Sequence, residues 1–195
     1  GYKIKLLGIA KSQNADVEIR VHPTLVPKNR LVANVDGAMN AVLVHGNMVG
    51  PTLYYGAGAG AEPTASAVVA DVIDIARQTK LSQDTLIPSL GFMPDKINEK
   101  NILSIENIFS EYYLRFTMKN QAGLLAKITN IFADHDISIN SMVHKEVQEN
   151  NQNPDIFLIT SKTKEADIDI IISEIELLPE NTEKVVKIRT EELNK

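Results

Sequence analysis

Cysteine and tryptophan are both absent from this 195-residue chain, and aromatic residues make up only 5% of it. Without cysteine there is no disulfide, no thiolate nucleophile and no sulfur-ligated metal, and the composition fits a cytoplasmic setting. The four histidines, His22, His45, His135 and His144, are scattered with no i, i+4 pair, so a histidine-based metal site has no spacing to stand on. No apolar run approaches the roughly 20 residues a membrane-spanning helix needs. A basic stripe is missing too. The net charge of −5 divides into about +2 over residues 1–80 and −7 over residues 81–195, so neither nucleic acid nor a membrane is expected as a partner. Ser66 lacks a Gly-x-Ser-x-Gly elbow, Asp71 and Asp74 read as solvated, and no paired carboxylates or apolar-set lysine suggest acid/base work within these residues.

What the chain does have is apolar material, 44% of its residues, enough for one large or two small cores. It begins at Gly1 rather than Met, directly in the apolar run Ile4-Lys5-Leu6-Leu7-Gly8-Ile9-Ala10, which leads us to expect a fragment of a longer protein. Residues 1–80 form a first region of short apolar segments. In it, Val17, Ile19 and Val21 alternate with Glu18, Arg20 and His22, the pattern of a strand with one wet face in a mixed or antiparallel open sheet. His22 and His45 read as strand-end histidines.

Gly56, Gly58 and Gly60 then separate a strand-like run from a helix expected over about Pro63 to Thr79, striped by Ala65, Val68, Val69, Val72, Ile73 and Ala76. Glycines before a helix let bare N–H groups close around an anion at the dipole's positive end. The spacing is not the Gly-x-Gly-x-x-Gly of a dinucleotide fingerprint, so a cofactor contact and a plain tight turn both remain readings of it. Thr64 and Ser66 would satisfy first-turn backbone donors or reach a ligand on the glycines.

Residues 81–111, with Pro88, Gly91 and Pro94, lack sustained periodicity and read as an extended connecting strap that is apolar enough to lie against a domain. From residue 112 the pattern is crisp. Tyr113 to Met118 alternates as a strand; Leu124, Leu125, Ile128, Ile131 and Phe132 stripe a helix; Ile137, Ile139, Ser141 and Val143 alternate again. A hairpin turn at Asn150-Asn151-Gln152-Asn153-Pro154 leads to the strand Ile156 to Ile159. A helix striped by Ile168, Ile171, Ile172 and Ile175 and a last strand over Lys184 to Arg189 complete the order β-α-β-β-α-β. That is the ferredoxin-like topology, so the whole chain is expected to be α+β. Between its first strand and helix, Lys119-Asn120-Gln121-Ala122-Gly123-Leu124-Leu125 offers a second candidate site. Gly123 permits close approach to a helix N-terminus, where a carboxylate fits, while the plainer reading has Asn120 cap the helix and Gly123 make the turn.

These residues also carry a family resemblance. The run Ile4 to Ala10, Val21-His22-Pro23-Thr24-Leu25-Val26-Pro27, Asn40-Ala41-Val42, and Gly56 to Gly60 through Pro63-Thr64-Ala65-Ser66-Ala67-Val68 resemble the C-terminal part of the catalytic region of homoserine dehydrogenase. Glu111-Tyr112-Tyr113-Leu114-Arg115-Phe116, together with the rest of the chain beyond it, resembles the ACT regulatory domain that many bacterial members append. The resemblance implies an NAD(P)-dependent oxidoreductase interconverting L-aspartate 4-semialdehyde and L-homoserine, on the route to threonine and methionine, with NAD or NADP as cofactor. It implies that the catalytic residues and the nucleotide fingerprint lie upstream of residue 1 and that this chain alone is inactive. It places a late cofactor contact at Gly60, with Gly58 and Thr64 as neighbours. It implies an amino-acid effector, threonine, held by Asn120, Gly123 and Leu124 of one copy and by the second strand, Ile139 and Asn140 onward, of another. A homodimer is then expected through the sheet of residues 1–55, through ACT pairing, or both. The family's Asp-x-Pro-Gly loop is here Asn120-Gln121-Ala122-Gly123, which removes the carboxylate that would meet an effector's ammonium group. The alternative reading is a non-enzymatic small-molecule-sensing module whose first region serves to dimerise.

Overall fold

The computed structural model describes residues 1–13, 16–80, 88, 90–145 and 153–193. The elements in chain order are β1 (Tyr2–Gln13), β2 (Asp16–Pro27), β3 (Met39–Gly46), β4 (Gly50–Ala57), α1 (Ala61–Gln78), β5 (Phe109–Thr117), α2 (Leu124–Asp134), β6 (Ile139–His144), β7 (Asp155–Thr160), β8 (Thr163–Lys164), α3 (Glu165–Glu176) and β9 (Val186–Thr190). They divide into two compact units, residues 1–29 with 101–193, and residues 30–100.

In the first unit β9, β5, β7 and β6 lie side by side in that order, each antiparallel to its neighbour, which is the strand order of the expected ferredoxin-like sheet. The alternation that predicts β5 sorts its side chains. Tyr112, Leu114, Phe116 and Met118 are buried against Leu124, Ile128 and Phe132 of α2 and Ile168, Ile171 and Ile175 of α3. Those spacings of three and four put each helix's apolar residues on one face, so the two helices close one side of the sheet. Leu125, which falls off that stripe, stays 38% exposed. The last strand starts at Val186 rather than Lys184. The turn expected at 150–154 falls mostly on 150–152, outside the described residues, as do Leu81 and Ile87 of the strap.

Two features depart from expectation. The first concerns the sheet of residues 1–55, which proves to be two sheets. The β1–β2 hairpin extends the large sheet, because β2 pairs in parallel with β9 through Thr24↔Arg189 and Leu25↔Thr190. The strap contributes here: Val17 N–H donates to Asn101 O at 2.9 Å and Leu103 N–H to Val17 O at 3.0 Å. The second concerns the polarity of β2. Glu18, Arg20 and Thr24 are buried, while Ile19 and Val21 are 52% and 71% exposed, so the side read as wet is the covered one. The reason is electrostatic. Arg20 sits between Glu18 and Glu191, whose oxygens lie 2.9 and 2.8 Å from its guanidinium, and Glu191 also accepts from Lys11 at 2.7 Å. A paired charge tolerates burial where a lone one does not.

The second unit is the hairpin β3–β4, paired from Met39↔Ala57 to Gly46↔Gly50, followed by α1. Gly50 takes φ +77°, which lets the strands reverse tightly. No residue of α1 is buried, so its stripe of Val68, Val69, Val72 and Ile73 is open in this chain. No described helix is long and apolar enough to cross a membrane.

Candidate functional site

The glycine run ends at the entry to α1. Gly60 is the N-cap, with φ 127° and ψ 154°, a conformation open almost only to glycine. Its carbonyl accepts two hydrogen bonds, from Thr64 N–H at 3.2 Å and from Thr64 Oγ1 at 2.7 Å. Thr64 therefore donates to a carbonyl and does not cap the first-turn N–H groups, as the residue type alone suggests. Ala61 and Glu62 carry the first-turn donors that precede Pro63, on the side of the helix where an anion is favoured. Gly58 N–H donates to Ala38 O at 3.3 Å, and a Cβ at Gly58 would fall 1.8 Å from Asn40 Nδ2. Gly58, Gly60 and Thr64 thus lie along one continuous stretch of backbone at the entry to α1.

The other candidate residues are placed in two groups. Gly123, in the left-handed conformation with φ 82°, is itself the N-cap of α2, and no side chain caps that helix. Asn120 is exposed beside it, which corrects the reading of Asn120 as the cap. Leu124 turns its side chain into the core and donates its N–H to Gln121 O at 3.2 Å. Ile139 and Asn140 open β6, the edge strand at the end of the sheet opposite β1, with β7 between it and β5. A register break falls between Ile139 and Ser141, so Asn140 is bulged out of the ladder; its Nδ2 donates to Thr160 O at 3.1 Å and to Glu111 Oε1 at 3.4 Å.

A third cluster is one that sequence reasoning missed. Glu165, at the first turn of α3, is 2% exposed and accepts from Tyr112 Oη at 2.8 Å, Lys187 Nζ at 2.6 Å, and Arg189 Nε and Nη2 at 2.7 and 2.5 Å. Burial pushes its carboxyl upward, but the donors from Arg189, Lys187 and Tyr112 outweigh that and hold it below the usual carboxylate range. Burial and the bond to Glu165 raise the Tyr112 hydroxyl far above its ordinary value. His22, whose imidazole is lowered chiefly by burial, stands in the field of Arg189 and Arg20. The available signal was the alternation Val186-Lys187-Ile188-Arg189, but it does not tell which side of β9 meets the helices. Here the polar side does, in continuity with Glu18, Arg20 and Thr24 on β2. Among the described residues no cluster of three or more potential ligands could hold a metal ion.

Comparison with known proteins matches residues 1–73 to the family described as homoserine dehydrogenase and residues 112–180 to the ACT domain. The homoserine dehydrogenase of Pseudomonas aeruginosa is 45% identical over 194 residues, covering 100% of this chain and 45% of that protein. That of Neisseria gonorrhoeae is also 45% identical, over 100% of this chain and 44% of its own length. The crystal structure of a homoserine dehydrogenase from Thiobacillus denitrificans superposes with a TM-score of 0.90 at 50% identity, over 100% of this chain and 43% of that one. The chain thus spans less than half the length of these relatives.

Proposed function

We propose that this chain, which belongs to the homoserine dehydrogenase family through residues 1–73 and carries an ACT domain over residues 112–180, supplies the closing wall of the nicotinamide site and the effector-sensing part of such an enzyme. The activity is hydride transfer between NAD(P) and the L-aspartate 4-semialdehyde/L-homoserine pair, in a cytoplasmic homodimer on the route to threonine and methionine. The observation that carries this reading is the Gly60 turn, which lies inside the family match and holds bare backbone at the positive end of α1. When bound, the dinucleotide supplies the hydride. Gly58, Gly60 and Thr64 orient it, and Thr64 fixes the Gly60 carbonyl so that the turn keeps its shape.

The regulatory half of the proposal rests on the Gly123 turn. In a dimer joined along the outer edge of β6, the Gly123 turn of one copy meets Ile139 and Asn140 of the other, and L-threonine is held between them by backbone N–H groups. Titration of the chain with L-threonine is expected to give saturable heat. Gly123→Val, which forces a β-branched residue into φ 82°, should abolish it at a local cost of about 1–2 kcal/mol. Absence of threonine heat at millimolar ligand would remove feedback sensing. The catalytic half is tested separately in an intact relative, by following oxidation of NADPH and of NADH with aspartate semialdehyde. The non-enzymatic reading expects effector heat in the chain but no change in turnover when the counterpart of Gly60 is altered.

A further inference from the structure

The side of the large sheet turned away from α2 and α3 is not flat. Because the β1–β2 hairpin joins β9 through only two residue pairs, its apolar Ile4↔Leu25 pair borders a trough of about 570 Å³ floored by β6, β7, β5 and β9. The register lays out that floor as two cross-strand rows. One runs Ser141, Ile159, Tyr113, Ile188, and the next runs Val143, Phe157, Arg115, Val186. The Tyr113 and Phe157 rings lie 6.2 Å apart on the diagonal between the rows.

One charge stands in this apolar grid. Arg115 is half-buried between Phe157 and Val186 and makes no hydrogen bond or ion pair with any described residue. At the β9–β2 end Arg20, Lys187 and Arg189 are each answered by a carboxylate, whereas no Asp or Glu lines the trough. Beyond the lining, Lys145 Nζ sits 5.1 Å from the centre of the Phe157 ring, and Asp155, on the same side of β7, accepts a hydrogen bond from Thr117 Oγ1. A partly desolvated guanidinium with an apolar surround is a strong site for a carboxylate, because its two parallel N–H donors match the two oxygens. The volume falls in the range of small-molecule pockets, and the open-sided trough is lined mainly by apolar residues.

We propose that this trough binds an apolar monocarboxylate, a branched-chain or aromatic 2-oxo acid being the best-fitting class. The carboxylate takes the Arg115 fork, the carbonyl oxygen lies within the same positive field, and the hydrocarbon or ring packs on Tyr113, Phe157 and Val186. The corresponding amino acid is disfavoured, because its ammonium group would lie beside the Arg115 guanidinium with no carboxylate among the lining residues. This site is separate from the Gly123 turn, and its success or failure leaves the effector reading untouched.

The test follows amide shifts of the labelled chain during titration with 4-methyl-2-oxopentanoate, phenylpyruvate and L-leucine, with sedimentation velocity on the same samples. The oxo acids are expected to give saturable shifts centred on Tyr113, Arg115, Phe157 and Val186, and L-leucine none there. Arg115→Leu, checked for an unchanged fold by its remaining amides, should weaken binding about tenfold or more, while Arg115→Lys retains part of it. The proposal is overturned if the oxo acids produce no saturable shift at these residues, if L-leucine binds equally well, or if Arg115→Leu binds unchanged. It is equally overturned if sedimentation shows a second copy of the chain already closing the trough and Val186→Asp releases it.

Discussion

Glu165→Leu is expected to lower folding stability by about 3 kcal/mol at pH 7, as measured by urea unfolding, with Glu165→Gln intermediate. The carboxylate is 2% exposed and takes four hydrogen bonds from three side chains. Removing it leaves the Lys187 ammonium and the Arg189 guanidinium beside each other with no counter-charge between them. Breaking one side of a buried ion pair costs about 3–5 kcal/mol. Lys187 and Arg189 keep 23% and 17% of their side-chain surface exposed and so recover some hydration, which puts the loss at the lower end. Lys187 also retains its second carboxylate, Asp169.

The same group sets an acid dependence. Its folded pKa lies below the ordinary value of 4.5, so the ionised form stabilises the fold fully at pH above that value. The contribution is lost as pH falls from there through the depressed folded pKa. The parent chain should therefore lose stability over that acid range, and Glu165→Leu should lose less over it. Equal stabilities at pH 7, or an unaltered acid slope in the variant, would mean that the cluster contributes no net stability.

The parts of the molecule readable from sequence are those where one period answers one environment. β5 alternates because one side meets two helices, and Leu124, Ile128 and Phe132 recur at helical spacing because α2 has a single covered face. β2 alternates as cleanly, but its polar side is the covered one. Alternation gives the two sides of a strand and not which of them is buried, and that choice is made by Glu191, which lies 171 residues away from Arg20 in the chain. The same ambiguity hid Glu165. A glutamate opening a helix reads as a favourable first-turn charge, and nothing local reveals that Arg189 and Tyr112 converge on it. At the candidate sites the glycines were legible because only backbone conformation is at stake, and Gly60 and Gly123 both take positive φ. Arg115 was not, because its meaning depends on what three neighbouring strands fail to provide.

Gly60→Val should have the larger functional effect. At φ 127° and ψ 154° a residue with a side chain is strained by up to about 3 kcal/mol, and a Cβ there would stand 3.3 Å from Pro63 Cδ, which is held by its own ring. The turn can relieve this only by rotating, and rotation takes the Gly60 carbonyl away from both Thr64 donors. Since α1 buries no residue in this chain, nothing elsewhere holds its first turn in place, so the damage should be local fraying that hydrogen exchange at Thr64 detects. Introduced at the aligned glycine of an intact relative, the change should reduce kcat/KM for the nicotinamide cofactor by roughly thirtyfold or more, as about 2 kcal/mol of lost orientation requires. Gly56→Ala is the control that separates position from mere bulk. Its Cβ would meet nothing within 4 Å, so turnover should stay within about threefold. If both variants fall equally, the turn is sensitive to any added atom and the cofactor-facing role of Gly60 is not distinguished; if Gly60→Val keeps its kcat/KM, the closing wall of the nicotinamide site lies elsewhere.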